Sequence, residues 1–272
     1  FTDIYEQLLS GIESKPEEFE DAFEDYIKFI ETDQTALRAT YWKEYLDGIE
    51  RSFIPFAPLT NERNKGIGSY HKHQLKFDDV SNVKIEAFSR KHHLTINTIV
   101  QGVWAYLLHR YTNQKKICYG ITVSGRPYEL PAIETRVGMF INTVPLATTF
   151  EDDQQITDCL HSIQRDQLLS RENQYCSLNQ IREMAGLDGE IFDSLLVFEN
   201  YPISSPLQRK KNLQARNIEI SEHTNYLLTL VVRAREELDV SFSYNGDILD
   251  AGTIIMIAGH FKLILTQVVE RD

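Results

Sequence analysis

Helices interleaved with many short strands predict an α/β (α+β) sandwich, one mixed β-sheet with flanking helices packed on it. Three stretches of the 272-residue chain carry that prediction. Residues 96–111 place Ile96, Ile99, Val100, Val103, Trp104, Leu107, Leu108 and Tyr111 at helical spacing. The compact apolar run 116–125 ends on Gly125 and reads as a buried strand. Strand runs then recur near 191–198, 217–222, 226–233 and 237–244, after helical runs at 154–172 and 177–185.

The remaining elements follow in order. Ile4, Leu8 and Ile12 give the first segment a thin helical stripe, weakened by Gly11. An acidic stretch (Glu13 to Asp25) reads as a solvated face. One long helix is expected from Glu17 to about Asp47, carrying Phe19, Phe23, Tyr26, Ile30, Leu37, Tyr41, Trp42 and Tyr45. Pro55, Pro58, Gly66 and Gly68 mark 51–68 as a connector. Residues 69–77 alternate as a strand, and 79–91 read as a helix. Thr95 is placed to cap the 96–111 helix, with Leu94 and Ile99 as a hydrophobic staple. Residues 137–150 form a second strand run in which Pro145 suggests a bend. Asp250 caps a last helix bearing Ile254, Ile257, Ala258, Phe261, Ile264, Leu265 and Val268.

Composition excludes several classes. Hydrophobic residues at 42% and charged residues at 25% exclude wholesale disorder. With 28 basic against 40 acidic residues the net charge is −12, which disfavours a general nucleic-acid surface. No apolar run is read as long enough to cross a bilayer, and no signal peptide is visible, so a soluble, cytoplasmic protein is expected. Cys118, Cys159 and Cys176 are widely spaced and read as buried free thiols in a reducing compartment. The chain has no initiator Met and opens on Phe1 inside a helical pattern, so it is expected to be cut from a longer protein.

Few residues suggest chemistry. His92-His93 superficially mimics an acyltransferase HHxxxD box, but it stands just before a helix N-cap with no partner to fix a tautomer. His71 and His73 share a strand face, yet no third zinc ligand is nominated. No phosphate-cradling loop and no GxSxG elbow occurs. What remains is polar groups at strand ends: Ser124-Gly125-Arg126-Pro127 closes one strand, and Asn142-Thr143 interrupts another. A buried amide must find hydrogen bonds, so Asn142 either satisfies neighbouring backbone or lines a cleft and bonds a substrate.

A series of motifs, in order, carries a family resemblance. Phe23 to Phe29 stands where the family has YxDYAxW, and Tyr41-Trp42-Lys43-Glu44-Tyr45-Leu46 matches YWxxxL. Gly102-Val103-Trp104-Ala105 precedes Tyr119-Gly120 and Ser124-Gly125-Arg126-Pro127. Val137 to Leu146 is the most specific match, echoed by Asn173-Gln174 and Ser177-Leu178. Phe192 to Pro202 and Thr224 to Leu230 complete the series. The chain thus resembles the C-terminal part of a condensation domain from a nonribosomal peptide synthetase. It departs from the pattern at Ala147, where the family has Arg, and at Leu227, where it has Pro.

The resemblance implies a chloramphenicol acetyltransferase-like fold of two lobes with a tunnel between them. Residues 1–50 would hold the end of the N-terminal lobe and crossover helices, 51–68 the connector, and 69–272 the C-terminal lobe. It implies amide-bond formation between thioesters carried on the phosphopantetheine arms of donor and acceptor carrier proteins, beside an adjacent adenylation domain. Asn142, Thr143, Ser124 and Arg126 would line the tunnel. No catalytic residue is expected in this chain, because the HHxxxDG box belongs upstream in a missing N-terminal lobe. A non-catalytic platform that recruits a carrier protein or tailoring enzyme, or a heterocyclisation domain, are the alternatives. An epimerisation domain is disfavoured by the SGRP run.

Overall fold

The computed structural model describes residues 7–11, 22–31, 35–58, 66–199, 224–234 and 237–270. The chain divides into two compact units. The larger comprises Thr32–Arg126, Met139–Asn200 and His223–Asp272, and the smaller Phe1–Glu31, Pro127–Gly138 and Tyr201–Glu222. In the smaller unit, α1 (Ala22–Glu31) carries Asp25, whose carboxylate meets the Arg136 guanidinium at 3.2 Å.

The larger unit is built on six strands: β1 (Tyr70–Lys76), β2 (Lys116–Val123), β3 (Asn142–Thr149), β4 (Ser194–Glu199), β5 (Leu228–Ala234) and β6 (Leu238–Asn245). Their order is β1-β6-β5-β4-β2-β3. The β2–β4 and β4–β5 pairs are parallel and the other three antiparallel. This is the expected mixed sheet.

Strand periodicity sends alternate side chains to opposite faces. Leu228, Leu230 and Val232 of β5 lie level with Tyr244, Phe242 and Val240 of β6 and form one apolar face. That face is covered by α3 (Asp79–Lys91), α4 (Ile96–Thr112), α5 (Ile156–Ser170) and α7 (Ala251–Glu270), with Phe261 edge-on to Phe242. Trp104 donates its indole N–H to Ser194 Oγ at 3.3 Å, and Tyr119 donates its hydroxyl to the Gln101 carbonyl at 2.8 Å. Gly102 lets α4 approach α5, since a Cβ there would stand 2.2 Å from Leu160. On the second face, α2 (Thr35–Tyr45) and α6 (Leu178–Ala185) pack near β3.

The expected caps form: Thr95 accepts from the Thr98 N–H, and Asp250 from the Thr253 N–H. Leu94 and Ile99 are both buried. Several expectations need correction. Of the helix expected over 17–47, Ala22–Glu31 (α1) and Thr35–Tyr45 (α2) are helical, while 17–21 and 32–34 lie outside the described residues. The strand expected over 137–150 begins only at Asn142, because β2, its partner, ends at Val123 directly opposite. Pro145 stays within β3, the outer strand, where a missing N–H is tolerated. The strand expected at 217–222 lies outside the described residues.

Residues 51–58 are more than a linker. Ser52 bridges Phe192, Ile54 is buried, and the Asp193 carboxylate accepts the Ile54 N–H. Finally, α7 is long and apolar enough to cross a membrane, which the sequence reading overlooked because His260 and Lys262 interrupt it. Its Ile254, Ile257, Phe261 and Leu265 are fully enclosed, as in the core helix of a globular fold.

Candidate functional site

The sheet changes direction between β2 and β4. From β2 the chain goes outward to β3; from β4 it returns, through undescribed residues, to β5 on the other side. Ligand crevices in open sheets form outside the carboxyl ends of parallel strands at such switch points. Here the two strands pair only at Gly120–Leu195 and Ile121–Leu196, then separate. The residues following Ile121 and Leu196 are therefore unpaired with each other and border the candidate crevice.

The four sequence-nominated residues meet at this end. Val123 pairs with Asn142 and Thr122 with Thr143, so Ser124 and Arg126 leave β2 where β3 enters. Ser124 is exposed, and the other three are half-buried. Arg126 lays its guanidinium over the Phe140 ring at 4.2 Å, a cation–π contact that fixes the chain before β3.

Asn142 has the most constrained side chain of the four. Its Nδ2 donates to the carbonyls of Gln174 at 2.7 Å and Cys176 at 2.8 Å. Its Oδ1 accepts the Thr143 N–H at 2.9 Å. Two carbonyls on one side and an N–H on the other fix the amide's orientation. Both donors are spent, leaving one Oδ1 lone pair for a further group. Trp42 satisfies the preceding carbonyl, donating Nε1–H to Asn173 O at 3.1 Å. The irregular turn between the 3₁₀ segment Arg171–Asn173 and α6 is thus tied down by side chains rather than by a ladder.

Sequence reasoning did not nominate Glu199. It ends β4, and its Oε2 accepts from Arg233 Nε at 2.6 Å. The readable signal was a carboxylate closing the apolar strand Leu195-Leu196-Val197-Phe198.

The other candidates resolve structurally. His93 takes φ 53°, and the N–H groups of His93 and Leu94 reach back to the carbonyls of Arg90 and Ser89. That is a Schellman close to α3, with His93 where glycine usually sits. His71 is exposed beside Tyr244, and half-buried His73 lies beside Phe242. Among the described residues no group of three or more His, Cys, Asp or Glu is placed to hold a metal. The three cysteines are buried and unbonded to one another, and burial raises each thiol pKa.

Two clefts lie away from this crevice. One of about 480 Å³ opens on the helical face, where His109 stacks on Phe150 and spends Nδ1 on the Gln114 carbonyl. Another of about 360 Å³ is lined by Glu44, Lys116 and Asp166, where burial raises the Asp166 pKa.

Comparison with known proteins decides the family. The model described as "Condensation domain" matches residues 1–271. The chain belongs to the condensation domain family. Gramicidin S synthase 2 of Brevibacillus brevis is 30% identical over 269 residues, 96% of this chain but 6% of that protein. The condensation fold is shared with the X-domain from teicoplanin biosynthesis, with a TM-score of 0.79 at 19% identity, over 98% of this chain and 63% of that one. It is also shared with the first condensation domain of the CDA synthetase, at a TM-score of 0.75 and 13% identity, over 98% and 58%. This condensation chain therefore spans about three-fifths of those solved chains and a small fraction of the synthetase. Two residues of the motifs quoted in the sequence, Trp42 and Asn142, hold backbone of the 173–176 turn beside the crevice.

Proposed function

We propose that this chain supplies the C-terminal part of a condensation domain that joins two carrier-bound acyl groups through an amide bond. In that reaction the acceptor amine attacks the donor thioester carbonyl. The C–N bond forms as the C–S bond breaks, and the proton lost by nitrogen leaves with the thiol. The observation that carries the reading is the crevice at the carboxyl ends of β2 and β4, where Ser124, Arg126, Asn142 and Thr143 gather in a family member. These residues line the passage for phosphopantetheine arms. Asn142 acts by positioning the Gln174–Cys176 turn and offering an acceptor, since its donors are already engaged.

The same reading assigns residues 1–50 to the end of the N-terminal lobe and crossover, 51–68 to a connector and 69–272 to the C-terminal lobe. Its partners are donor and acceptor carrier proteins, an adjacent adenylation domain and an N-terminal lobe carrying HHxxxDG, all in the cytoplasm. The test is reconstitution: the full-length protein, supplied with two loaded carriers, forms an amide product detected by mass spectrometry. A full-length protein with a degraded box and no product would instead support a recruitment platform, and a cyclised product a heterocyclisation domain.

A further inference from the structure

On the sheet's second face, one charged residue from each of four adjacent strands stands in register. Lys76 pairs with Asp239, Asp239 with Arg233 and Arg233 with Glu199, so the row alternates in sign across β1, β6, β5 and β4. Arg233 is the hub, 2.6 Å from Glu199 Oε2 and 3.8 Å from Asp239 Oδ2. Opposite charges directly across strands stabilise one another. Glu199 is the last member. Its next neighbour is β2, which parted from β4 after Ile121–Leu196.

Among the described residues the carboxylate is therefore held from one side alone. Among the described residues Glu199 Oε1 makes no hydrogen bond, and the side chain is only 17% exposed. An ionised carboxylate oxygen accepts and cannot donate, so it takes a hydrogen-bond donor, and a cationic N–H more strongly than a neutral O–H. At the crevice end the nearby Arg126 is stacked on Phe140. We propose that Glu199 is a positioning residue that receives the amino group of the acceptor substrate through Oε1, with Arg233 fixing its rotamer. The inference rests on the amide-forming reading, because only that reading brings a free amine to the crevice.

The probes are alanyl and lactyl thioesters of N-acetylcysteamine, which differ by amine against hydroxyl. Near neutral pH the α-amino group is largely protonated, so its bonds to a carboxylate are charge-assisted. The full-length wild-type protein binds the alanyl probe about tenfold more tightly than the lactyl one in calorimetry. Glu199→Gln abolishes that preference in a protein that still folds cooperatively, with a melting temperature lowered by the loss of the Arg233 pair. Glu199→Asp, which keeps the charge but withdraws it by a methylene, retains part of it and serves if the Gln variant folds poorly. A wild-type protein with no preference overturns the proposal, as do variants that weaken both probes equally. Amide formation is followed separately in the same protein. A wild-type protein that turns over without the preference removes the role of Glu199 alone, and a wild-type protein that shows the preference without turnover removes the reaction alone.

Discussion

The phenol oxygen of Tyr45 bridges both backbone groups of Ala147, accepting its N–H at 2.9 Å and donating to its carbonyl at 3.0 Å. One hydroxyl thereby satisfies two groups on the outer side of β3 and fastens α2 to the sheet. Burial raises the Tyr45 pKa well above its usual value, so it stays a neutral donor. Tyr45→Phe leaves both Ala147 groups without a protein partner and is expected to cost about 1–3 kcal/mol. Urea denaturation measures it, and an unchanged midpoint would show that water replaces the hydroxyl fully.

Asn142 ties the other end of the same strand. Asn142→Ala strips the Gln174 and Cys176 carbonyls of their donor and is expected to lower stability by about 1–3 kcal/mol. Asn142→Asp is worse at neutral pH, because a carboxylate then faces two carbonyls. Its deficit relative to wild type shrinks as the pH falls and the carboxyl regains a donor proton. A deficit independent of pH would contradict the hydrogen-bond assignment.

The histidine pair behaves as a helix terminus. Replacing His92 and His93 together with Ala in the full-length protein is expected to leave amide formation unchanged. His93→Gly relieves a positive φ and is expected to stabilise by about 0.5–1 kcal/mol, the backbone strain removed less the chain entropy added. Lost turnover in a folded double variant would restore a chemical role.

Gly120 allows a close approach on the second face. A Cβ there would stand 2.7 Å from Phe192 Cε2 and 3.0 Å from Leu195 Cδ1. Gly120→Ala is expected to cost about 1–3 kcal/mol as the Phe192 ring and the Leu195 side chain shift. A Tm equal to wild type would mean that Phe192 has room to retreat.

Asp166 gives a pH signature. Burial raises its folded pKa, opposed by Arg165. The folded protein holds this proton more tightly than the unfolded chain, so the group favours folding at low pH and loses that contribution as pH rises through the folded pKa. Asp166→Asn is therefore expected to raise Tm at neutral pH, with the gain fading in acid. A gain that grows in acid would reverse the sign.

Much of this was readable in the residues. Periodicity located α4 and β2, and Thr95, Asp250 and the Leu94–Ile99 pair marked helix starts through short-range rules. The candidate residues Ser124, Arg126, Asn142 and Thr143 stand out in the sequence as polar breaks at strand ends. Long-range pairing was not readable. That 137–141 is not strand depends on where β2 stops, and the two carbonyls to which Asn142 donates lie more than thirty residues away. Glu199 shows in the sequence as a carboxylate closing an apolar strand, but its pairing with Arg233 comes only from the register.

Amide formation by the full-length protein, with one donor and one acceptor carrier each loaded with an aminoacyl group, bears on all of this at once. The product released from the acceptor carrier is measured by mass spectrometry for wild type and for Asn142→Ala. The account predicts a dipeptidyl product from wild type and a slower rate from the folded variant, by about tenfold at most for a positioning bond. A wild-type protein that carries an intact HHxxxDG box and yields no amide product would contradict it.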